Sequence, residues 1–574
     1  MPITAIHGNT KGLKSNQLKA LQRLYQQRVP GDCPVTPELA QRLAAVSTEI
    51  DVPVCLYLNR RGQVVRVGVG TPHQTQIPPL ELPRYSAKRL SGIRCIATQP
   101  KPAPPKEASL TAMVVQRLDA LLTLTLTGEG FQKRGGAATG YVRETYLAHL
   151  LPQAAAEGDP AERPYWTVWP PMSLDALSKQ DFWALVESLE AEFEREHVAQ
   201  QPQADRERAI VVGLMADERN PDAFAGRVAE LERLVDTAGG KVLSTITQRR
   251  AQPHPKTVVG AGKIQEIALQ AQTLGASLVA CDRDLLPSQV RNLEELLGTR
   301  ILDRTELILD IFAQHARSRA GKLQVELAQL EYKLPRLTGR GKAMSRLGGG
   351  IGTRGPGETQ LETERRAIRR RIDRLQQEVN QLQAHRARLR ERRQAREIPS
   401  VAFVGYTNAG KSTLLNALTS ADIHTADRLF ATLDPTTRRL AVPEAGLEGR
   451  REILLTDTVG FIQQLPSSLL DAFRATLEEV TEADALVHVV DLAHPAWERH
   501  MQSVQAVLSE LPTPPSPILT AFNKIDCADG PTLTQARAEF PEAAFVSASQ
   551  RMGLPTLRTR LGQLLERELA ATER

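Results

Sequence analysis

Residues 400–418 read SVAFVGYTNAGKSTLLNAL. The opening 400–404 is a short apolar run that predicts a strand, and the pattern through Leu418 has helical spacing. Between them lies G-x-x-x-x-G-K-S: Gly405, Tyr406, Thr407, Asn408, Ala409, Gly410, Lys411 and Ser412. Strand, glycine-rich loop and helix in that order form a phosphate cradle. The glycines let backbone N–H groups turn toward phosphates, and the helix N-terminus adds the positive end of its dipole. Lys411 is expected to reach the β- and γ-phosphates of a nucleotide, and the Ser412 hydroxyl to bind Mg²⁺. The stretch therefore predicts a P-loop domain, a mixed sheet flanked by helices, over residues 398–570.

The motifs downstream name the nucleotide. Asp457, Thr458, Val459 and Gly460 follow the apolar strand 453–456 as D-x-x-G, where Asp457 can hold Mg²⁺ and the Gly460 N–H can approach the γ-phosphate. Asn523, Lys524, Ile525 and Asp526 follow the apolar run 517–522. A buried Asp526 carboxylate there would accept from the N1–H and N2 amino group of guanine, a donor pair that adenine lacks, and so select against ATP. Asn523 and the Lys524 stem would brace the base, and Ser547, Ala548 and Ser549 would offer a backbone N–H to the guanine O6. Between the phosphate loop and Asp457 lie Phe430, Ala431, Thr432, Leu433 and Asp434, followed by Pro435, Thr436 and Thr437. That is where a switch loop offers a hydroxyl to the metal when a γ-phosphate is present. Thr432 is the expected ligand, with Thr436 and Thr437 in reserve. The metal set is thus Ser412, Thr432 and Asp457, and the residues expected to act in hydrolysis are Lys411, Thr432 and Gly460. Phe461 stands where many GTPases carry a glutamine that orients the attacking water, so intrinsic hydrolysis is expected to be slow. Asn408 is a candidate K⁺ contact.

Upstream, residues 208–304 alternate strand and helix: strands at 209–212, 241–247, 278–281 and 300–302, and helices around 224–235, 264–274 and 290–297. That alternation implies a small parallel sheet covered by helices. In 305–397, Leu323, Leu327, Leu330 and Leu334 are spaced four, three, four, and Ile368, Ile372, Leu375, Val379, Leu382 and Leu389 continue the rhythm with Arg386 in one slot. Two heptad stretches joined by one loop predict an antiparallel helical hairpin. The loop, 339–357, reads GRGKAMSRLGGGIGTRGPG, with eight glycines, four cations and no acid. Arg340, Lys342, Arg346 and Arg354 are candidate RNA contacts. Residues 1–200 read as an accessory α/β domain, with strands at 54–58 and 63–69, Pro-rich linkers at 99–105 and 160–171, and a helix at 182–197.

Composition narrows the class. The formal net charge is +6, and residues 362–397 carry twelve arginines against six acidic residues, a run suited to a polyanion, RNA first. Aromatics at 4% argue against base stacking as the main binding chemistry. The five cysteines, Cys33, Cys55, Cys95, Cys281 and Cys527, lack metal-ligand spacing and fit a reducing compartment. No signal peptide and no apolar stretch of spanning length is read, so the expected location is the cytoplasm.

The segments FATLDPTTR at 430–438, DTVGFIQQLP at 457–466, LTGRGKAMSRLGGGIGTRGPGETQLETERR at 337–366 and VVGAGKIQEI at 258–267 together resemble the HflX family of translational GTPases. The resemblance covers about residues 208–570. It implies a cytoplasmic GTPase, working as a monomer, that binds the large ribosomal subunit and its RNA and splits stalled ribosomes. It also implies a hairpin loop that approaches ribosomal RNA. Members are reported to bind ATP through the N-terminal part, for which Gly260, Ala261, Gly262 and Lys263 are the candidate here. The rival reading is a nucleotide-gated RNA-binding module, or a GTPase attached to RNA modification, in which hydrolysis is incidental. Residues 90–100, LSGIRCIATQP, resemble metalloproteases of the JAMM type, with Ala97 and Gln99 where that motif has histidines, so such a domain would hold no zinc.

Replacing Asp526 by Asn turns half of the paired acceptor into a donor. The expected loss of guanine nucleotide affinity is about 2–5 kcal/mol, as for a charged hydrogen-bond pair broken on one side. Titration of the Asp526→Asn chain with GDP and ADP checks it; undiminished preference for GDP would refute the assignment.

Overall fold

The computed structural model describes the chain except residues 1–4, 79–80, 83–88, 128–140, 153–164, 201–205, 217–220, 338–355, 395–397, 420–428, 431–434, 444–449, 463–478, 512–516 and 573–574. Two compact units result. One comprises Met1–Val228, Gly240–Asp282 and Gln289–Leu302; the other comprises Ala229–Gly239, Arg283–Ser288 and Asp303–Arg574.

The first unit holds two sheets. Strands β1 (Ile6–Gly8), β2 (Val54–Asn59), β3 (Val64–Val69), β4 (Ile93–Gln99), β5 (Ala120–Leu126), β6 (Val142–Leu150) and β7 (Trp166–Val168) lie in the order β1-β3-β2-β4-β5-β6-β7. The helix Pro37–Ile50 packs on them. Thr36 caps it by accepting from the Leu39 N–H, Pro37 suits its first turn, and Leu39, Leu43 and Ile50 recur on its buried face. The Pro-rich stretch 160–171, expected to be a linker, contains β7. Trp166 and Val168 favour extended backbone, and the flanking prolines are tolerated because β7 is the sheet's edge. Gln99 closes β4, and its amide donates to the carbonyls of Lys101 and Ala103, holding the other Pro-rich stretch to the strand. Strands β8 (Arg208–Met215), β9 (Lys241–Arg249), β10 (Leu278–Cys281) and β11 (Arg300–Leu302) form the parallel sheet that the alternation predicts, in the order β11-β10-β8-β9. Gly260 starts the helix Ala261–Leu274 and donates to Gln248 Oε1, while Lys263 pairs with Glu266 at 2.7 Å. In this structure the glycine–lysine segment is a helix start whose lysine is paired locally.

The second unit holds the hairpin and the phosphate-loop sheet. The helices Arg319–Lys333 and Pro356–Gln394 run antiparallel, since Glu326 pairs with Arg371 and Arg319 with Glu378. Leu327, Leu375 and Val379 are buried in their seam with Leu323, Leu330 and Ile372 against them, as the heptad spacing predicts. Leu334 departs from it: it keeps helical backbone, φ −55° and ψ −46°, but opens the 3-10 turn Leu334–Leu337, since Pro335 has no N–H to continue the α-helical hydrogen bonds. The loop with Arg340, Lys342, Arg346 and Arg354 lies outside the described residues.

Strands β12 (Ser400–Gly405), β13 (Thr436–Pro443), β14 (Arg450–Asp457), β15 (Ala485–Asp491), β16 (Ile518–Asn523) and β17 (Ala544–Phe545) form a mixed sheet in the order β13-β14-β12-β15-β16-β17, with only β13 antiparallel to its neighbour. Alternation along β12 fills both faces. Val401 and Phe403 join Leu414 and Leu415 on one, and Ala402 and Val404 join Leu486, Val504 and Leu508 on the other. The chain leaves β12 for β14 on one side and β15 on the other, so the carboxyl end of β12 is a topological switch point, where open α/β sheets bind ligands.

Leu375 is fully buried in the hairpin seam. Leu375→Ala is expected to destabilise the hairpin by about 2–5 kcal/mol, the usual cost of a large-to-small core change. Amide exchange across 319–333 and 362–384 checks it, with unchanged protection refuting the packed seam.

Candidate active site

The phosphate loop grows out of β12. Asn408 and Gly410 take positive φ, 62° and 89°, which turns the loop back over the first turn of the helix Lys411–Thr419. A side chain at Gly410 would strike the Asn523 amide, since a Cβ there lies 2.3 Å from Nδ2. Lys411 is only 6% exposed. Its ammonium donates to the carbonyls of Gly405 and Tyr406, both at 3.0 Å. Burial pushes its pKa down to about 8, with Asp457 opposing the fall.

Two hard oxygen donors meet at the next turn. Ser412 Oγ donates to Asp457 Oδ2 at 2.5 Å, at the end of β14. Asp457 is fully buried, and Thr458 Oγ1 donates to the Phe403 carbonyl, locking the D-x-x-G segment to β12. A hydroxyl and a carboxylate side by side suit Mg²⁺, which prefers oxygen ligands and keeps several waters. Thr432, with Ala431, Leu433 and Asp434, lies outside the described residues. Of the reserves, Thr437 shares a hydrogen bond with Thr456 across β13 and β14 at 3.0 Å, and Thr436 stands opposite Asp457 in the register. Phe430, just before the gap, is buried.

The base-recognition loops are tied to the phosphate loop by Asn523, which is 2% exposed. Its amide donates to the Ala409 carbonyl at 2.9 Å, and its Oδ1 accepts from the Ala548 N–H at 3.0 Å. Lys524, at φ 59°, pairs with Asp491 at 2.7 Å. Asn523 thus joins two loops, and the lysine is held by a strand-end carboxylate. Asp526 is exposed, not buried as expected, because it projects from the rim beyond the end of β16. Hydrogen bonds from Ser547 first, and from Cys527 and Ser549, hold its carboxyl below the usual range, so it is an ionised acceptor.

Several residues beside this site escaped the sequence reading. Tyr406 Oη donates to Glu230 at 3.0 Å, and Arg304 lies 3.2 Å from the same oxygen. Burial raises the Glu230 pKa and Arg304 opposes it. The Tyr406 ring stacks on His500 with centroids 3.8 Å apart and planes 5° off parallel. Burial and then His494 lower the His500 pKa to about 3, so the stacked ring is neutral at physiological pH. Phe430 meets Phe312 edge to face at 4.7 Å. Glu230 adjoins the apolar stripe of its helix, and nothing in its spacing separates it from a solvated acid.

The buried Lys411 charge gives a test. Its pKa falls on folding, so this group's stabilising contribution is present above the ordinary 10.5 and lost as pH falls through about 8. At neutral pH the buried ammonium costs on the order of 3 kcal/mol at 1.36 kcal/mol per unit. Lys411→Met is expected to raise the melting temperature of the nucleotide-free protein at pH 7 while abolishing GTP binding. A lowered melting temperature would refute the electrostatic account.

Comparison with known proteins agrees with this geometry. Residues 225–313 match the family described as GTP-binding GTPase N-terminal, 315–393 the GTP-binding GTPase Middle Region, and 400–524 the 50S ribosome-binding GTPase family. The GTPase HflX of Alkalihalophilus pseudofirmus is 49% identical over 63% of this chain and 84% of its own length. The GTPase HflX of Caldanaerobacter subterraneus subsp. tengcongensis is 47% identical over 64% of this chain and 81% of its own. A solved GTP-binding protein of Sulfolobus solfataricus in complex with GDP is 28% identical, covers 63% of this chain and 99% of its own, and superposes with a TM-score of 0.34. Relatives matched over more than four-fifths of their length at nearly half identity place the chain in the HflX family of GTPases.

Proposed function

We propose that this GTPase binds the large ribosomal subunit in its GTP state, promotes the splitting of stalled ribosomes, and releases the subunit after hydrolysis. The observation that carries the reading is the antiparallel hairpin of Arg319–Lys333 and Pro356–Gln394 in the same unit as the phosphate loop. A stiff helical pair with a buried seam serves as a stalk, and residues 339–357, which join the two helices in sequence, carry Arg340, Lys342, Arg346 and Arg354 with no acid before Glu358. The match of 400–524 to a ribosome-binding GTPase family supports the same partner.

In this reading the phosphate-loop N–H groups and Lys411 hold the β- and γ-phosphates, and Asp526 reads guanine. Ser412 and Asp457, joined by Thr432, would hold Mg²⁺, which neutralises phosphate charge when bound. Asn408, exposed at positive φ, is the proposed K⁺ contact. Thr432 links the γ-phosphate to ribosome affinity, because a ligand shifts a switch only through contacts that differ between its two states. No helix among the described residues is long and apolar enough to cross a membrane.

Cosedimentation with large subunits in GTP, a non-hydrolysable analogue and GDP tests the reading. Binding is expected with the first two and not with GDP, and nucleotide-independent binding would overturn the gating. Four phosphate contacts by the loop predict a log–log salt slope of roughly −3, at about −0.7 per contact on unpaired RNA. Replacing Arg346 and Arg354 by Ala should flatten it by about 1.4 on the same rule and reduce splitting, with GTP affinity unchanged. An unaltered slope would reduce the loop to a connector.

A further inference from the structure

The residue after Gly460 cannot orient water here. Phe461 is buried among Ala402, Val404, Tyr406 and Leu486, and its main chain is engaged with the phosphate loop. Its N–H donates to the Gly405 carbonyl at 3.0 Å, and its carbonyl accepts from the Thr407 N–H at 2.7 Å. That zipper sets Thr407 directly against the D-x-x-G segment.

Thr407 is 7% exposed, and its hydroxyl is buried without a hydrogen-bond partner among the described residues. A Cβ placed on Gly460 would lie 2.8 Å from Thr407 Cα, 2.9 Å from its Cγ2 and 3.1 Å from Lys411 Nζ. Thr407, with its main chain and methyl nearest Gly460, and Lys411 therefore converge where Lys411 and the Gly460 N–H are expected to grip the γ-phosphate. A buried polar group left unmatched by its own fold calls for a partner, and in this position the substrate can bring one. A threonine hydroxyl has one proton to give and two lone pairs. It can donate to a γ-phosphate oxygen and accept from a water beside it.

We propose that the Thr407 hydroxyl positions the attacking water in GTP hydrolysis, the part that glutamine plays in other GTPases. The inference rests on the chain being a GTPase. The water oxygen bonds to the γ-phosphorus while the bond from that phosphorus to the bridging oxygen breaks, its electron pair leaving with GDP. The water's proton passes to a γ-phosphate oxygen, giving inorganic phosphate. Thr407 neither gains nor loses a proton. It fixes the direction of approach, and general catalysis by orientation requires no shifted pKa.

The test compares Thr407→Val, which keeps the shape and removes the hydroxyl, with Thr407→Ser, which keeps the hydroxyl. Full-length chains are assayed for single-turnover GTP hydrolysis, alone and with large ribosomal subunits, for GTP affinity, and for melting temperature without nucleotide. The valine variant is expected to lose about ten-fold or more in single-turnover rate at saturating GTP, ten-fold being the effect of 1.4 kcal/mol on a barrier. Its melting temperature should equal or exceed the parent's, since a buried unpaired hydroxyl has been removed. The serine variant should hydrolyse within about three-fold of the parent. A valine variant as fast as the parent, or a serine variant as slow as valine, overturns the proposal. Should valine not fold, Thr407→Ala carries the same expectations. A parent chain that binds GTP and never hydrolyses it overturns the GTPase reading as well, so the two failures are separable.

Discussion

One side chain joins the two halves of the nucleotide site. Asn523, at the end of β16, donates to the phosphate loop at Ala409 and accepts from the loop 547–549 at Ala548. Both ends of a single amide are used, and the group is buried, so neither bond can be exchanged for water without loss. The grip dictates its neighbours. Gly410 must lack a Cβ because the amide occupies that space, and Gly410 and Asn408 together turn the loop over the helix Lys411–Thr419. The spacing between the phosphate cradle and the base-reading rim is thereby fixed before any nucleotide arrives, which lowers the ordering cost of binding.

The same pocket concentrates groups that a purely structural core would not keep. A lysine held by two carbonyls, a fully buried aspartate opposite Phe403 and a histidine opposite Val404, whose pKa burial lowers to about 4, meet around the end of β12. The buried lysine and aspartate disfavour the folded state unless charge of opposite sign or a metal joins them, and the histidine beside them stays neutral. The arrangement is stable enough because the sheet around it is apolar on both faces, so the cost falls on a small region backed by a large core.

Much of this was legible because it follows from spacing. The apolar run before Gly405, the period of the 208–304 strands and the four-three rhythm of Leu323, Leu327 and Leu330 against Ile372, Leu375 and Val379 each recur in the structure. What was not legible depends on long-range placement. The strand Trp166–Val168 hid between prolines because its acceptability depends on being at an edge, which no local pattern reveals. Asp526 was expected to be buried because its role suggested it, yet it is exposed at a strand-end rim. Asn523 was assigned to the base on motif position, and its two amide bonds became visible only when Ala409 and Ala548 stood beside it.

The aromatic and acidic partners of Tyr406 and Phe430 show how far the site extends beyond its motifs. Tyr406 is held on one side by Glu230 and Arg304 and on the other by the neutral ring of His500. Phe430, at the edge of the switch segment, rests on Phe312. Tyr406 and Phe430 are thus seated on side chains from residues 230, 304 and 312, all N-terminal to the phosphate-loop strand. Replacing Glu230 takes the partner from a buried phenol, and replacing Arg304 takes the cation from a buried carboxylate, which costs more than the contact itself contributes. The residues of the phosphate-loop motif and the side chains packed against them therefore come from different lengths of chain.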